Sequence, residues 1–259
     1  MVCPGEGVGG AAGAVTQDGV AQRLFVALDF PDFDRAVELA RQLAPLGVRF
    51  KAGLELFCRV GPQGVVELQG VTGPLLLDLK LHDIPRTVER SVRAVAALGA
   101  WGVTLHATGG PVMLSAGVAA AAAAAAQGWA GTDGRLRCLA VTVLTSLDEQ
   151  LLHVLGVHVP LREQVRRLAD LALAAGCDGV VASPEEARLV RDATSPSFLV
   201  VTPGIRPAGS AWGDQARVAT PQAAVEAGAD CLVVGRPVTE SPDPVGAIRA
   251  ILEEMADVP

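Results

Sequence analysis

The 259-residue chain is half apolar, 19% charged and carries a formal net charge of −7, a balance that supports a large core and excludes a disordered chain. It has no tyrosine, few other aromatics and no basic tail, which argues against nucleic-acid binding. No apolar run approaches the ~18–20 residues of a membrane span, and the five scattered cysteines, Cys3, Cys58, Cys138, Cys177 and Cys231, form no CxxC pair, as expected of reduced structural thiols in a cytoplasmic protein.

Residues 1–22 are rich in Gly and Ala and lack the basic start and sustained apolar segment of a signal peptide. They read as a flexible leader ahead of one domain spanning 23–259. An apolar run at 24–28 reads as a buried strand, ended by Asp29. Helical spacing follows at 32–43, where Phe33, Ala36, Val37, Ala40 and Leu43 share a stripe. Residues 48–52 form a second strand carrying Lys51, and 54–69 one or two helical pieces around Gly61-Pro62. The third strand, 74–80, leads into a helix at 84–98. The fourth, 100–106, leads into a helix at 111–127, whose alanine run at 119–126 needs only alanine's helix propensity to explain it. A fifth strand at 136–144 is followed by helical segments at 147–155 and 161–175. Then come a strand at 179–182, a helix at 184–191 with Ser183 as its N-cap, a strand at 198–202, and a long Gly/Pro-rich loop at 203–215. A helix at 221–227, a strand at 231–234 and a helix at 244–255 complete the chain.

Eight apolar strands, each followed by a helix, over this length predict a single-domain α/β fold, the (β/α)8 TIM barrel. An open doubly wound sheet is the alternative. It needs a Gly-rich phosphate turn after the first strand, where Leu28-Asp29-Phe30-Pro31 stands instead.

The polar residues sharpen this reading. In Leu75-Leu76-Leu77-Asp78-Leu79-Lys80-Leu81-His82-Asp83-Ile84-Pro85, strand alternation puts Asp78 and Lys80 on one face and Leu77, Leu79 and Leu81 on the other. Opposite charges on one face of an apolar strand are costly to bury unless paired or used. Barrel active sites lie at the C-terminal ends of strands, and those ends here carry Asp29, Lys51, Asp78, Lys80, His106, Thr145, Arg206 and Arg236. Asp83 is expected to cap the helix beginning near Ile84 and also to face a ligand. His106 reads as an interior histidine, and His82, His153 and His158 have no metal-ligand spacing. The loops Thr202-Pro203-Gly204-Ile205-Arg206 and Val234-Gly235-Arg236-Pro237 follow the last two strands, where barrels commonly hold phosphate. Either alone reads equally well as a turn; together they favour phosphate.

These residues resemble the bacterial type of orotidine 5′-phosphate decarboxylase. The matching pieces are Val26-Ala27-Leu28-Asp29, Phe50-Lys51-Ala52-Gly53, the stretch from Leu77 to Thr87, Val143-Leu144-Thr145-Ser146, Thr202 to Pro207, Gly213-Asp214-Gln215 and Gly235 to Thr239. They occur in the family's order, and the D-x-K-x-x-D-I-P-x-T piece is highly specific. The resemblance implies a lyase that converts orotidine 5′-phosphate to UMP in pyrimidine biosynthesis, with neither metal nor cofactor. It implies a homodimer in which Lys51, Asp78 and Lys80 of one chain meet Asp83 of the other. Asp29 and Lys51 would hold the ribose, with Thr87 near it. Thr145 and Ser146 would lie by the pyrimidine, and Arg206, Gln215, Gly235 and Arg236 would grip the phosphate. Lys80 would stabilise and protonate the C6 carbanion. Two other readings remain open. One is a Mg²⁺-dependent decarboxylase or lyase of a keto-sugar phosphate on a related barrel. The other is a non-catalytic barrel that binds a phosphate ligand.

Overall fold

The apolar runs become strands buried on both faces, and a strand with two apolar faces needs cover inside and out. A closed parallel barrel ringed by helices supplies both. The computed structural model describes residues 17–129, 134–207 and 218–258. Its strands are β1 (Leu24–Ala27), β2 (Arg49–Gly53), β3 (Leu76–Leu81), β4 (Gly102–His106), β5 (Arg137–Val141), β6 (Gly179–Val181), β7 (Leu199–Thr202) and β8 (Cys231–Val234), paired in sequence order and closed by a β1–β8 ladder. The barrel expected from the sequence is therefore the fold.

The helices are α1 (Gln17–Ala21), α2 (Phe33–Leu43), α3 (Leu54–Thr72), α4 (Pro85–Ala97), α5 (Gly110–Ala126), α6 (Glu149–Val154), α7 (Leu161–Ala174), α8 (Pro184–Ala193), α9 (Pro221–Glu226), α10 (Arg236–Thr239) and α11 (Pro244–Ala256). Two of them were not expected. α1 lies within the stretch read as a flexible leader, yet Val20 and Ala21 are buried in the core. That part of the expected leader therefore belongs to the folded body. Residues 1–16 lie outside the described residues. α10 is a single turn opening at Gly235, too short for any periodicity to reveal.

Other local features follow their sequence cues. α3 is interrupted at Gly61 (φ 60°, ψ −169°), just before Pro62, giving the two pieces the Gly-Pro pair suggested. Ser183 is the N-cap of α8, and its backbone N–H donates to the buried Glu186 carboxylate. By length and composition Ala107–Ala126 would pass as a membrane span, contrary to the expectation from apolar runs. Here it is a barrel helix. Its Met113, Leu114, Gly117, Ala120, Ala121 and Ala124 are buried, and small side chains let it approach the barrel closely. A Cβ on Gly117 would lie 2.7 Å from Leu105 Cδ2.

The interior of the barrel has two ends of different character. Phe25, Leu76, Trp101, Leu139, Val201 and Cys231 pack as an apolar plug. At its N-terminal side the Arg49 and Arg137 guanidinium groups lie 5.0 and 4.6 Å from the Trp101 ring centroid. Above the plug, the next inward residues on β1, β2 and β3 are Ala27, Lys51 and Asp78, which line an open cavity. The helix-facing residues of β3, Leu77 and Leu79, join the main core as the alternation predicted.

One ladder contact is especially tight. A Cβ on Gly179 of β6 would lie 2.2 Å from the Leu199 carbonyl oxygen and 2.6 Å from its Cβ on β7. Gly179→Ala is therefore expected to force β6 and β7 apart and cost about 2–3 kcal/mol. Urea unfolding followed by circular dichroism checks this, and an unchanged midpoint would contradict it.

Candidate active site

Two charged strand ends and one irregular strand build the site. At the C-terminal end of β1, the Asp29 carboxylate accepts hydrogen bonds from Lys51 Nζ at 2.9 Å and from the Gly53 backbone N–H at 3.0 Å. Gly53 is needed for that approach, because a Cβ there would lie 2.4 Å from Asp29 Oδ1. Lys51 is buried and also reaches Asp78 Oδ2 at 3.4 Å. Asp78 Oδ2 in turn accepts from Lys80 Nζ at 2.8 Å. Asp29, Lys51, Asp78 and Lys80 thus form one alternating chain of charges across β1, β2 and β3.

Burial pushes the Asp78 carboxyl up. The charges of Lys51 and Lys80, with hydrogen bonds from Lys80 and Thr104, outweigh it, so the group is held below the usual carboxylate range. Asp78 is therefore an anion flanked by two ammonium groups at neutral pH. His106 is pulled the other way. Burial first, then the nearby His82 and Lys80, lower it below the ordinary imidazole value, while Asp78 opposes them. It is a half-buried neutral histidine whose ring lies 5.4 Å from that of His82, tilted 38° to it, so it is less interior than expected.

β3 owes its shape to a break in register. Leu77 pairs with Val103 and Leu81 with Leu105, so β3 takes four steps where β4 takes two. The extra length is a bulge containing Asp78 and Lys80. Lys80 has φ 48°, the only non-glycine residue with positive φ among the described residues. Its backbone N–H donates to Thr104 Oγ1 at 2.9 Å, and that hydroxyl donates to Asp78 Oδ1 at 2.9 Å. Sequence reasoning assigned Thr104 nothing. Its inward position on β4, two residues before His106, was the available signal.

The cavity above the apolar plug has a volume of about 410 Å³. Of the residues expected at the site, Asp29, Lys51, Asp78, Lys80, Thr145, Arg206, Gly235 and Arg236 line it. Apolar side chains, among them Val141, Val143 and Val181, form its β5–β6 wall. The long loop after β7 is anchored at its base, where Arg206 N–H donates to the Ala219 carbonyl and Ala219 N–H to the Gly204 carbonyl. Gly204 turns the chain there with φ 81°, a conformation that favours glycine. Gln215 lies outside the described residues.

Three expected site residues are not in the cavity wall of the single chain. Ser146 is exposed. Asp83 and Thr87 are also exposed, at the start of α4. Asp83 does not cap that helix as expected. The N-cap is Ile84, without a side-chain cap, and Asp83 Oδ1 accepts from the N–H of Ile84 at 2.6 Å. Pro85 fills the first helical position in place of a donor that would need capping.

Comparisons with known proteins identify the family. The description "Orotidine 5'-phosphate decarboxylase / HUMPS family" matches residues 22–251. An orotidine 5′-phosphate decarboxylase of Halorhodospira halophila is 53% identical over 90% of this chain and 96% of its own length. One from Thermobifida fusca is 48% identical over 91% of this chain and 97% of its own. The crystal structure of orotidine 5′-phosphate decarboxylase from Lactobacillus acidophilus superposes with a TM-score of 0.78 at 36% identity, covering 90% of this chain and 99% of that one. A barrel with this charge array and these relatives belongs to the orotidine 5′-phosphate decarboxylase / HUMPS family and is an enzyme of the decarboxylase type.

Proposed function

We propose that the protein is a carboxy-lyase that converts orotidine 5′-phosphate to UMP in pyrimidine biosynthesis, with residues 23–259 and the helix α1 packed on them as the catalytic domain. The observation that carries this reading is the Asp29–Lys51–Asp78–Lys80 chain of charges at the open end of the barrel. Decarboxylation at C6 breaks the bond to CO₂ and leaves the electron pair on a ring carbon with no electron sink. A fixed cation beside that carbon is the stabiliser such a carbanion needs. Lys80 fills this role and then transfers its ammonium proton to C6, and solvent restores the proton. Asp78 orients Lys80, and its negative charge disfavours a carboxylate placed beside it.

The cavity lining supports the remaining roles at Asp29, Lys51, Thr145, Arg206, Gly235 and Arg236, while Ser146 and Gln215 take theirs from the resemblance alone. Asp29 and Lys51 bind the ribose, and Thr145 and Ser146 lie toward the pyrimidine. Arg206, Gly235 and Arg236, with Gln215, hold the phosphate, whose remote binding energy assembles the site around the reacting end. No cofactor enters this step. Free thiols at Cys58, Cys138, Cys177 and Cys231 fit a cytoplasmic location.

The working form in this reading is a homodimer. Asp83 is only three positions from Lys80 yet exposed, and Ile84 beside it is 67% exposed. A second copy covering this edge brings Asp83 and Thr87 of one chain to the Lys80 of the other. The array becomes Lys-Asp-Lys-Asp only when both chains are present.

Three experiments test the proposal. Purified protein is expected to consume orotidine 5′-phosphate, followed by loss of ultraviolet absorbance, at the same rate with or without EDTA. Lys80→Ala is expected to stay folded and bind UMP while losing at least about 10³-fold in kcat. An active Lys80→Ala enzyme, or a requirement for Mg²⁺, would overturn the mechanism. For the shared site, Lys80→Ala and Asp83→Ala chains are each expected to be inactive alone. Co-refolded in equal amounts they should recover about a quarter of the parent activity, because half the dimers then hold one intact site. No recovery on mixing would place Asp83 within its own chain's site or outside the reaction.

A further inference from the structure

We propose that Thr104 is a positioning residue for the reaction, holding Asp78 and Lys80 in the geometry that catalysis needs. The inference rests on the decarboxylase reading above and concerns a residue for which sequence motifs supplied no role.

The argument starts from the backbone of Lys80. A lysine at φ 48° occupies a region that side chains with a Cβ rarely adopt, and such a conformation persists only where its surroundings over-determine it. The bulge between Leu77 and Leu81 takes Lys80 out of the regular ladder with β4. In that stretch its N–H donates to Thr104 Oγ1 at 2.9 Å. Thr104 is 1% exposed, on a rigid strand, so the oxygen that receives this bond is fixed.

The hydroxyl makes a second contact with a forced direction. Asp78 is ionised and can only accept, so the one hydroxyl proton of Thr104 goes to Asp78 Oδ1, 2.9 Å away. The other carboxylate oxygen, Oδ2, meets Lys80 Nζ at 2.8 Å and Lys51 Nζ at 3.4 Å. A closed ring results, running from Lys80 N–H to Thr104, to Asp78, and back to the Lys80 ammonium. The ring fixes the plane of the Asp78 carboxylate and the strained backbone of Lys80 through one atom. Thr104 also lines the cavity, but its donor is spent on Asp78. It therefore acts through Asp78 and Lys80 rather than by donating to the substrate.

The test compares Thr104→Val, which keeps the shape and removes the hydroxyl, with Thr104→Ser, which keeps the hydroxyl. Steady-state kinetics on orotidine 5′-phosphate, UMP affinity by calorimetry and melting temperature are measured for each. Thr104→Val is expected to lower kcat about 10- to 100-fold, the scale of a misplaced reacting group, with KM and UMP affinity within about threefold of the parent. Thr104→Ser is expected to keep kcat within about threefold of the parent. Should the valine variant fail to fold, Thr104→Ala, which leaves space beside the carboxylate instead of a methyl group, carries the same expectation. Parent-like kcat in the hydroxyl-free variant, a loss confined to KM, or a serine variant as slow as the valine variant would each overturn the proposal. An inactive parent chain would instead sink the decarboxylase reading, and this inference with it.

Discussion

The site depends on one carboxylate. Asp78 is largely buried, and an isolated anion there would lose its hydration for nothing in return. It is ionised because Lys51 and Lys80 both approach the same oxygen, at 3.4 and 2.8 Å. The converse also holds, since two ammonium groups held so close would repel each other without it. Each charge in the row from Asp29 to Lys80 is thus tolerable only because of its neighbours. Replacing one member therefore changes the electrostatic cost of the rest, a coupling that makes effects of single substitutions non-additive.

The barrel makes the row possible by separating two demands. The apolar plug of Phe25, Leu76, Leu139, Val201 and Cys231 supplies cohesion below. The strand ends above it are free to carry charge. Parallel strands point all their C-terminal ends to one side, so Asp29, Lys51 and Asp78 converge although dozens of residues separate them in the chain. The bulge in β3 adds a device that a regular strand lacks. It spends extra chain length around Asp78 and Lys80, and it leaves a backbone N–H that a neighbouring strand must satisfy. Thr104 satisfies it.

Most of the fold was legible in the sequence because buried parallel strands leave compact apolar runs with polar ends. β8 matched its expected span, and the other strands differed from theirs only at their ends. The alternation along β3 foretold that Asp78 and Lys80 share a face. What escaped was what depends on pairing or on short length. The register break between Leu77 and Leu81 is a relation between two strands, so Thr104 carried no visible role. α1 and α10 are one-turn helices with too few residues for periodicity. Asp83 looked like a cap, but Pro85 at the first helical position shifts the N-cap to Ile84. The alanine run of α5 carried more than helix propensity, because its small side chains set how closely that helix packs.

The central claim is that the Lys80 ammonium, steered by Asp78, sits beside the carbon that loses CO₂. The most direct measurement is a crystal structure of the protein with UMP bound. The account predicts Lys80 Nζ within about 3.5 Å of C6 of the pyrimidine, still bonded to Asp78 and flanked by Asp83 of the partner subunit. A Lys80 side chain directed into solvent, or a pyrimidine whose C6 faces the apolar wall of β5 and β6, would contradict it.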